Sequence, residues 1–459
     1  MKKDVDKVRS MFNISVLLLL SIFLGNLNLK AQTATEKFTS EVKFEKAGSQ
    51  PLEGRFLECR RVVVGPWVHQ PKEYEGYNGF VGWPGLTRLK SGRLLLTFSS
   101  GYWHASPPLT EEILKDEKCR KKFEPWHKLG MPFINAPRGG RTHIMHSDDN
   151  GKTWSEPELL VDTELDDRHP TIIELDDGTW FCTFFTFKLP HITKAKYILS
   201  YDEGKTWSEP KNFPGGAGGY ANGPAIQLTD GAVLVAANSH SFGDPARSDI
   251  VVLRSEDRCK TFEVASVLKK EYDQFEPTMA QLPNGQVVML TRTRGDIYWS
   301  NDGGKTWITS ETGTGVKMFE PHLIVLPNGI LANFHGGYDM TKDRLTLGGL
   351  SVILSSDNGH TWHGPESVAE EDVPNGGNGK GNMGYRVDPS VYGSNSNPIL
   401  LPDGTVYTVY LRTGGHYSYD ARTQALWSIR VQINDSADGI RLLPSPGGAD
   451  FRGGKLFEK

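Results

Sequence analysis

Cysteine is scarce in this chain, with 4 in 459 residues. Cys59, Cys119, Cys182 and Cys259 stand too far apart for a short metal-binding spacing, and no H-E-x-x-H stretch occurs. No metal and no cofactor are therefore expected. Positive charge is not in surplus either. The 51 Lys and Arg against 55 Asp and Glu leave a formal charge of −4, which gives no basis for a nucleic-acid partner. Long apolar runs are missing apart from one, Ile14 to Leu24, which is too short to span a bilayer comfortably. It follows Lys2, Lys3, Lys7 and Arg9 and precedes Lys30-Ala31-Gln32, so residues 1–32 read as a signal peptide. Asp4 and Asp6 interrupt the basic start, which makes Met11 an alternative initiator. No cysteine closely follows the run, so no lipid or membrane anchor is expected. The mature chain is expected to be exported, periplasmic or secreted, a context that permits disulfides.

Gly (50), Trp (11) and Tyr (15) are abundant, as in turn-rich all-β folds. One octapeptide recurs. It reads Ser147-Asp148-Asp149-Asn150-Gly151-Lys152-Thr153-Trp154 and returns at Ser200, Ser300 and Ser355. A worn copy starts at Ser255, with Cys259 in place of the glycine and Phe262 in place of the tryptophan. The pattern S-x-D-x-G-x-T-[WF] is a turn. Its Asp accepts from nearby backbone N–H groups, its Gly supplies left-handed backbone, and its aromatic residue wedges between neighbouring units. The copies lie 53, 55, 45 and 55 residues apart, a spacing that suits four-stranded propeller blades.

A second repeat is independent of the first. Prolines 84, 170, 224, 277, 321 and 398 each open a hairpin of two short strands around a turn such as Leu282-Pro283-Asn284-Gly285. Six hairpins, five of them followed by the octapeptide, predict an all-β, six-bladed β-propeller over residues 55–459, after a polar segment at 33–54. Arg61 to Val64 is the expected strand that closes the sixth blade. Two wide gaps mark insertions, about Tyr102 to Arg141 and about Asp372 to Tyr385.

Strands in a blade alternate in direction. The octapeptides, between strands three and four, therefore sit on the back face. Binding groups belong just before the hairpin proline or just after strand two. The first set is Trp83, Arg168, His169, Asn222, Glu276, Glu320 and Asn397. The second is Tyr102, Trp103, His104, Lys188, Asn238, His240, Arg292, Arg294, His335 and Arg412. A ring of convergent polar groups around a concave centre suggests a ligand site. Glu276 and Glu320, equivalent in adjacent blades, suit the paired carboxylates of glycosidic cleavage and are the catalytic candidates. Arg168, Arg292, Arg294 and Arg412 suit an anionic group. Trp83, Tyr102 and Trp103 suit a sugar face. His104, His169, His240 and His335 offer acid or base.

These octapeptides and the six-blade count resemble the sialidase (neuraminidase) superfamily, from about Val62 to Ile433. The resemblance implies an arginine triad on a substrate carboxylate, an Asp acid/base and a Tyr–Glu nucleophile pair. Glu276 and Arg292 look like the family's blade-four Glu and Arg, and Arg344 is the blade-five arginine candidate. Gly82 stands where the family's first arginine opens blade one. Ser394-Asn395-Ser396 occupies the expected tyrosine position, with Tyr392 out of register. Asp116 is the sole first-insertion candidate for the acid. The expected function is an exported exo-glycosidase that releases a terminal, acidic sugar. The alternatives are a uronic-acid polysaccharide lyase and a glycan-binding propeller without turnover.

Overall fold

The computed structural model describes residues 54–57, 80–133, 135–190, 192–215, 217, 224–240, 247–292, 294–338, 347–364, 384–388, 395–412 and 425–448. The expected signal peptide, Cys59, Arg61 to Val64, Asn222, Arg344, most of the second insertion and Tyr392 lie outside these residues.

Six antiparallel blades follow in chain order. Blade 1 is Phe80–Arg88, Leu94–Gly101, Arg141–Ser147 and Glu158–Val161; blade 2 is Asp166–Glu174, Trp180–Lys188, Ile192–Ser200 and Lys211–Asn212. Blade 3 is Ile226–Gln227, Val233–Asn238, Ile250–Ser255 and Glu263–Leu268; blade 4 is Phe275–Gln281, Val287–Arg292, Ile297–Ser300 and Ile308–Thr309. Blade 5 is Met318–Val325, Leu331–Tyr338, Leu347–Ser355 and Tyr385–Asp388. Blade 6 has Ile399–Leu400, Val406–Arg412 and Ala425–Ile433. Its outer position is shared. Arg55–Leu57 pairs with Leu426 to Ser428, and Ile440–Leu443 pairs with Arg430 to Ile433. The closing strand is thus Arg55–Leu57, earlier in the chain than the apolar Arg61 to Val64 run suggested. Arg55 fixes this seam, with Nη1 donating to Lys152 O at 2.6 Å and Pro446 O at 2.7 Å.

All six hairpins use one turn. In each, a glycine donates its N–H to the carbonyl of the leucine three residues before it, at Leu89/Gly92, Leu175/Gly178, Leu228/Gly231, Leu282/Gly285, Leu326/Gly329 and Leu401/Gly404, and the leucine N–H donates to the carbonyl of the residue after the glycine. Each glycine has φ between 80° and 90°, backbone that a Cβ would disfavour. Side chains then link every neighbouring pair of blades around the ring. Thr97 Oγ1 donates to Pro170 O at 2.5 Å, Asp176 N to Gln227 Oε1 at 2.7 Å, and Thr229 N to Gln281 Oε1 at 2.9 Å. Leu323 N donates to Thr278 Oγ1 at 3.2 Å, Asn328 Nδ2 to Asp435 Oδ1 at 3.3 Å, and Asn397 Nδ2 to Leu86 O at 2.8 Å. Apolar clusters fill the same gaps.

The octapeptides are built alike. In the first, Ser147 Oγ donates to Asp149 Oδ1 at 2.8 Å, Gly151 N to Ser147 Oγ at 2.8 Å, Thr153 N to Asp149 Oδ1 at 2.9 Å and Thr153 Oγ1 to Asp149 Oδ2 at 2.6 Å. Two successive residues take positive φ, as at Asn150 (58°) and Gly151 (88°). The worn copy keeps this with Arg258 (61°) and Cys259 (63°). The closing aromatics Trp154, Trp207, Phe262, Trp307 and Trp362 pack into the layer toward the preceding blade. Cys119, Cys182 and Cys259 are buried free thiols.

The first insertion is helical, with Glu111–Lys115 and Glu117–Lys128. Phe123 and Cys119 bury one face of the longer helix against Trp103, Phe185 and Phe187. Asp116 is its N-cap, accepting from Cys119 N at 2.9 Å. Among the described residues no helix is long and apolar enough to cross a membrane.

Candidate functional site

Four inner strands break register at their proline. In blades 1, 2, 4 and 5 the pairing slips between Gly82 and Gly85, Arg168 and Thr171, Phe275 and Thr278, and Phe319 and His322. The residue before each proline has a positive φ: Trp83 (50°), His169 (52°), Glu276 (48°) and Glu320 (43°). Left-handed backbone at a bulky residue costs roughly 1–2 kcal/mol. The proline has no N–H to lose from the ladder, so the bulge falls there. Bulges re-aim side chains and gather beside active sites.

Each strained residue is held from the preceding blade where its N–H partner is known. His169 N donates to Ser99 Oγ at 3.0 Å, Glu276 N to Asn238 Oδ1 at 3.0 Å, and Glu320 N to Glu276 Oε2 at 2.8 Å. Glu276 therefore does for blade 5 what Ser99 and Asn238 do for their neighbours. Its other oxygen takes a short charge-assisted bond from Arg292 Nη1. Both carboxylate oxygens are engaged, and the Arg292 guanidinium lies 5.4 Å from the Phe319 ring centre.

Glu320 is placed differently. It lines a small floor pocket with Trp83, Pro84, His169, Thr171, His322 and Asn395. His169 stacks on Trp83 at 4.7 Å, and the Arg168 guanidinium lies 3.8 Å from the Trp83 ring centre. Arg168 Nη2 donates to His104 O at 2.5 Å, and its Nε is 3.7 Å from Asp166 Oδ2. Burial, with Arg168 and His322 adding to it, holds His169 well below the usual imidazole range. Burial pushes His322 down to about 3, against the Asn395 carbonyl. Both rings are neutral at physiological pH. Burial raises Asp166 to about 6 although Arg168, Ser106 N and Gly140 N oppose it. Asp166 Oδ2 accepts from Ser106 N at 2.7 Å, so the insertion is clasped beside Arg168.

The structure thus brings together Trp83, Arg168, His169, Glu276, Arg292 and Glu320, with His104 touching them through its carbonyl. Others stand elsewhere. Arg294 is exposed with its guanidinium 4.0 Å from the Tyr272 ring centre, and His240 bonds Ser239 Oγ at 2.9 Å. His335 is fully buried, with Nδ1 3.2 Å from Gly336 O. Tyr102 and Trp103 are core residues of the insertion, and Tyr102 OH donates to Pro107 O at 2.6 Å. They do not present a sugar platform. Asp116, as a helix cap, does not reach the ring as an acid. The Arg412 side chain and Asn222 lie outside the described residues. Sequence reasoning missed His322 and Thr171, which follow their prolines. Residues on both sides of these prolines line the one pocket, so the proline was the available signal.

The BNR repeat-like domain family matches residues 188–425, just over half of the chain, and the BNR/Asp-box repeat matches residues 145–156. The chain belongs to the BNR repeat-like family. No curated protein matches the sequence. Among solved structures, this BNR-repeat propeller is similar to a Dyadobacter fermentans protein of unknown function, at 18% identity and TM-score 0.54, covering 83% of this chain and 97% of that one. It is similar to a mutant of the NanB sialidase from Streptococcus pneumoniae, at 14% identity and TM-score 0.50, covering 81% and 71%. It is also similar to the Trypanosoma rangeli sialidase in complex with sialic acid, at 15% identity and TM-score 0.50, covering 76% of this chain but 54% of that one. Identities this low establish a shared sialidase-like fold. The position at which the sialidase resemblance leads one to expect an arginine, Gly82, is closed here. A Cβ on Gly82 would lie 2.5 Å from the Phe80 ring, so an arginine does not fit without moving Phe80.

Proposed function

We propose that this propeller is an exported glycoside hydrolase that releases a terminal acidic sugar from a glycan. The observation that carries the reading is the set of four strained pre-proline residues, with Glu320 on the pocket floor and Arg292 locked by Glu276. Arg292 offers a guanidinium to the sugar carboxylate, and Arg168 on Trp83 supplies a second cation. Glu320 moves the proton, and Glu276 positions Arg292 and the Glu320 backbone. The sialidases among the structural neighbours support this substrate class. The closed Gly82 position argues for a carboxylate clamp unlike theirs.

A panel of fluorogenic glycosides, including sialosides and uronides, tests the reading. Wild type should hydrolyse at least one acidic glycoside. Glu320→Gln should lose turnover by about 10²-fold or more and still bind. Full turnover in that variant would remove Glu320 from the chemistry. A second reading, β-elimination on a uronic acid, is favoured by the two neutral histidines, which suit proton abstraction. An elimination product absorbs in the ultraviolet and a hydrolysis product does not. Oligosaccharide binding with no turnover of any kind would leave a glycan-binding propeller.

A further inference from the structure

We propose that the floor pocket holds one water and that this water, activated by Glu320, is the nucleophile, so that cleavage inverts the anomeric centre. This rests on the hydrolase reading above. The space open to the centre of a water molecule in this pocket is about 10 Å³, room for about a single water. Two of its lining residues carry a buried polar atom with no hydrogen-bond partner among the described residues, Nδ1 of His322 and Oδ1 of Asn395. These residues are 4% and 2% exposed. Buried polar atoms are almost always satisfied, by protein or by ordered water. The Asn395 Nδ2 is already committed to Ser396 O at 3.0 Å.

The chemistry of the lining selects a donor. His322 is neutral, and the Asn395 carbonyl faces its ring. A neutral imidazole carries one N–H donor and one acceptor nitrogen, so Nδ1 can meet a water in either role. Asn395 Oδ1 and the Glu320 carboxylate are acceptors. Two acceptors and a neutral imidazole among the lining residues suit a group with two O–H bonds and disfavour an anion. Among the described residues no Tyr, Ser or Cys lines the pocket, and the Thr171 hydroxyl is paired with Thr183 Oγ1 at 2.7 Å.

The step balances. One water O–H points to Glu320 and the other to His322 or Asn395. The water oxygen forms a bond to the anomeric carbon as the bond from that carbon to the leaving oxygen breaks. The bond's electron pair leaves with that oxygen, which takes a proton from solvent at the funnel mouth. Glu320 accepts the water proton and later returns it to solvent. A carboxylate that works through water needs room for that water, and such cleavage inverts. Direct attack by Glu320 would instead form a covalent ester and retain configuration.

Two experiments decide this. The first anomer released from a substrate found in the panel is read by proton NMR. The inverted anomer is expected, with no adduct formed by a fluorinated sugar that traps covalent intermediates. A retained anomer or a trapped ester would overturn the proposal. Asn395→Ala and His322→Gln, with melting checked, should lower kcat at least tenfold with KM within about twofold. Folded variants with unchanged kcat would remove both residues from the role. A panel without any turnover would sink the hydrolase reading together with the nucleophilic role. The water site is then judged alone by a high-resolution crystal structure. A water within hydrogen-bond distance of both His322 Nδ1 and Asn395 Oδ1 is expected, and a dry or side-chain-filled pocket would overturn it.

Discussion

Replacing Asp302 with alanine should weaken the fold without touching the site chemistry. The Asp302 carboxylate accepts from Ser300 Oγ at 2.8 Å, Thr306 N at 2.9 Å, Lys305 N at 3.1 Å and Thr306 Oγ1 at 2.6 Å. These bonds hold its pKa at about 2, below the ordinary 3.8, although burial opposes them. At about 1.4 kcal/mol per unit the shift corresponds to at most about 2.5 kcal/mol. Asp302 is exposed, and solvent screening reduces this to about 1 kcal/mol. The groups left behind can rehydrate, so the total loss should be about 1–2 kcal/mol. A depressed carboxylate stabilises the fold above its unfolded pKa. That contribution is lost as pH falls from about 4 to about 2. Urea unfolding at pH 7 should therefore show a deficit that closes in acid. Asp149, Asp202, Asp257 and Asp357 are shifted the same way, so wild type should itself lose stability steeply in this window. An undiminished deficit near pH 2, or lost activity in a fully folded variant, would refute the reasoning.

Arg55→Ala removes the side chain that joins the N-terminal strand to Lys152 O and Pro446 O. It should cost about 1–3 kcal/mol and expose the sixth blade to limited proteolysis; an unchanged cleavage pattern would contradict the latch. Glu276→Ala should cost about 3 kcal/mol in denaturant unfolding, because Arg292 and Glu320 N lose the same partner. Glu276→Gln, which keeps an acceptor, should cost less and act mainly on KM; a pure kcat loss would make Glu276 catalytic. Asp166 and Asp167 have pKa values raised by burial to about 6 and about 7. Raised carboxylates favour the protonated fold, so their contribution is fully present below about pH 4 and is lost as pH rises to about 7. Asp167→Asn should flatten that slope in a melting series, and an unaltered slope would count against it. Gly82→Ala should destabilise by about 1–3 kcal/mol through contact with Phe80; a neutral melting temperature would mean that Phe80 yields.

The fold was legible because its signals are local and repeated. An Asp, a Gly and an aromatic at fixed spacing make the back-face turn, and a Leu and a Gly three residues apart make each hairpin. The blade count followed from the hairpin prolines. Arg55-Phe56-Leu57 was not singled out because it is a poorer apolar run than Arg61 to Val64, and its pairing with Leu426 to Ser428 is decided by tertiary context. The insertion's helices were overlooked among residues with little apolar periodicity. At the site, position was legible and role was not. Glu276 and Glu320 look equivalent in sequence, yet a hydrogen bond from one blade to the next makes one a support and leaves the other on the floor.

The same asymmetry connects stability to function. The front face holds four bulky residues in left-handed backbone, each a cost of roughly 1–2 kcal/mol. The back face carries five turns whose aspartates are each stabilised by a dense set of hydrogen bonds. Strain of this kind persists only where the surroundings over-determine it. Here the surroundings are the neighbouring blades. His169, Glu276 and Glu320 are each pinned through the backbone by a side chain from the blade before. A change in one blade's second strand should therefore reach the next blade's functional residue without touching a substrate. Asn238→Ala tests this directly. It removes the acceptor for Glu276 N, so it should relax the Glu276 φ and loosen Arg292. The expected result is a raised KM for an acidic glycoside with little change for a neutral one. An equal loss for both would mean that Asn238 supports only the blade.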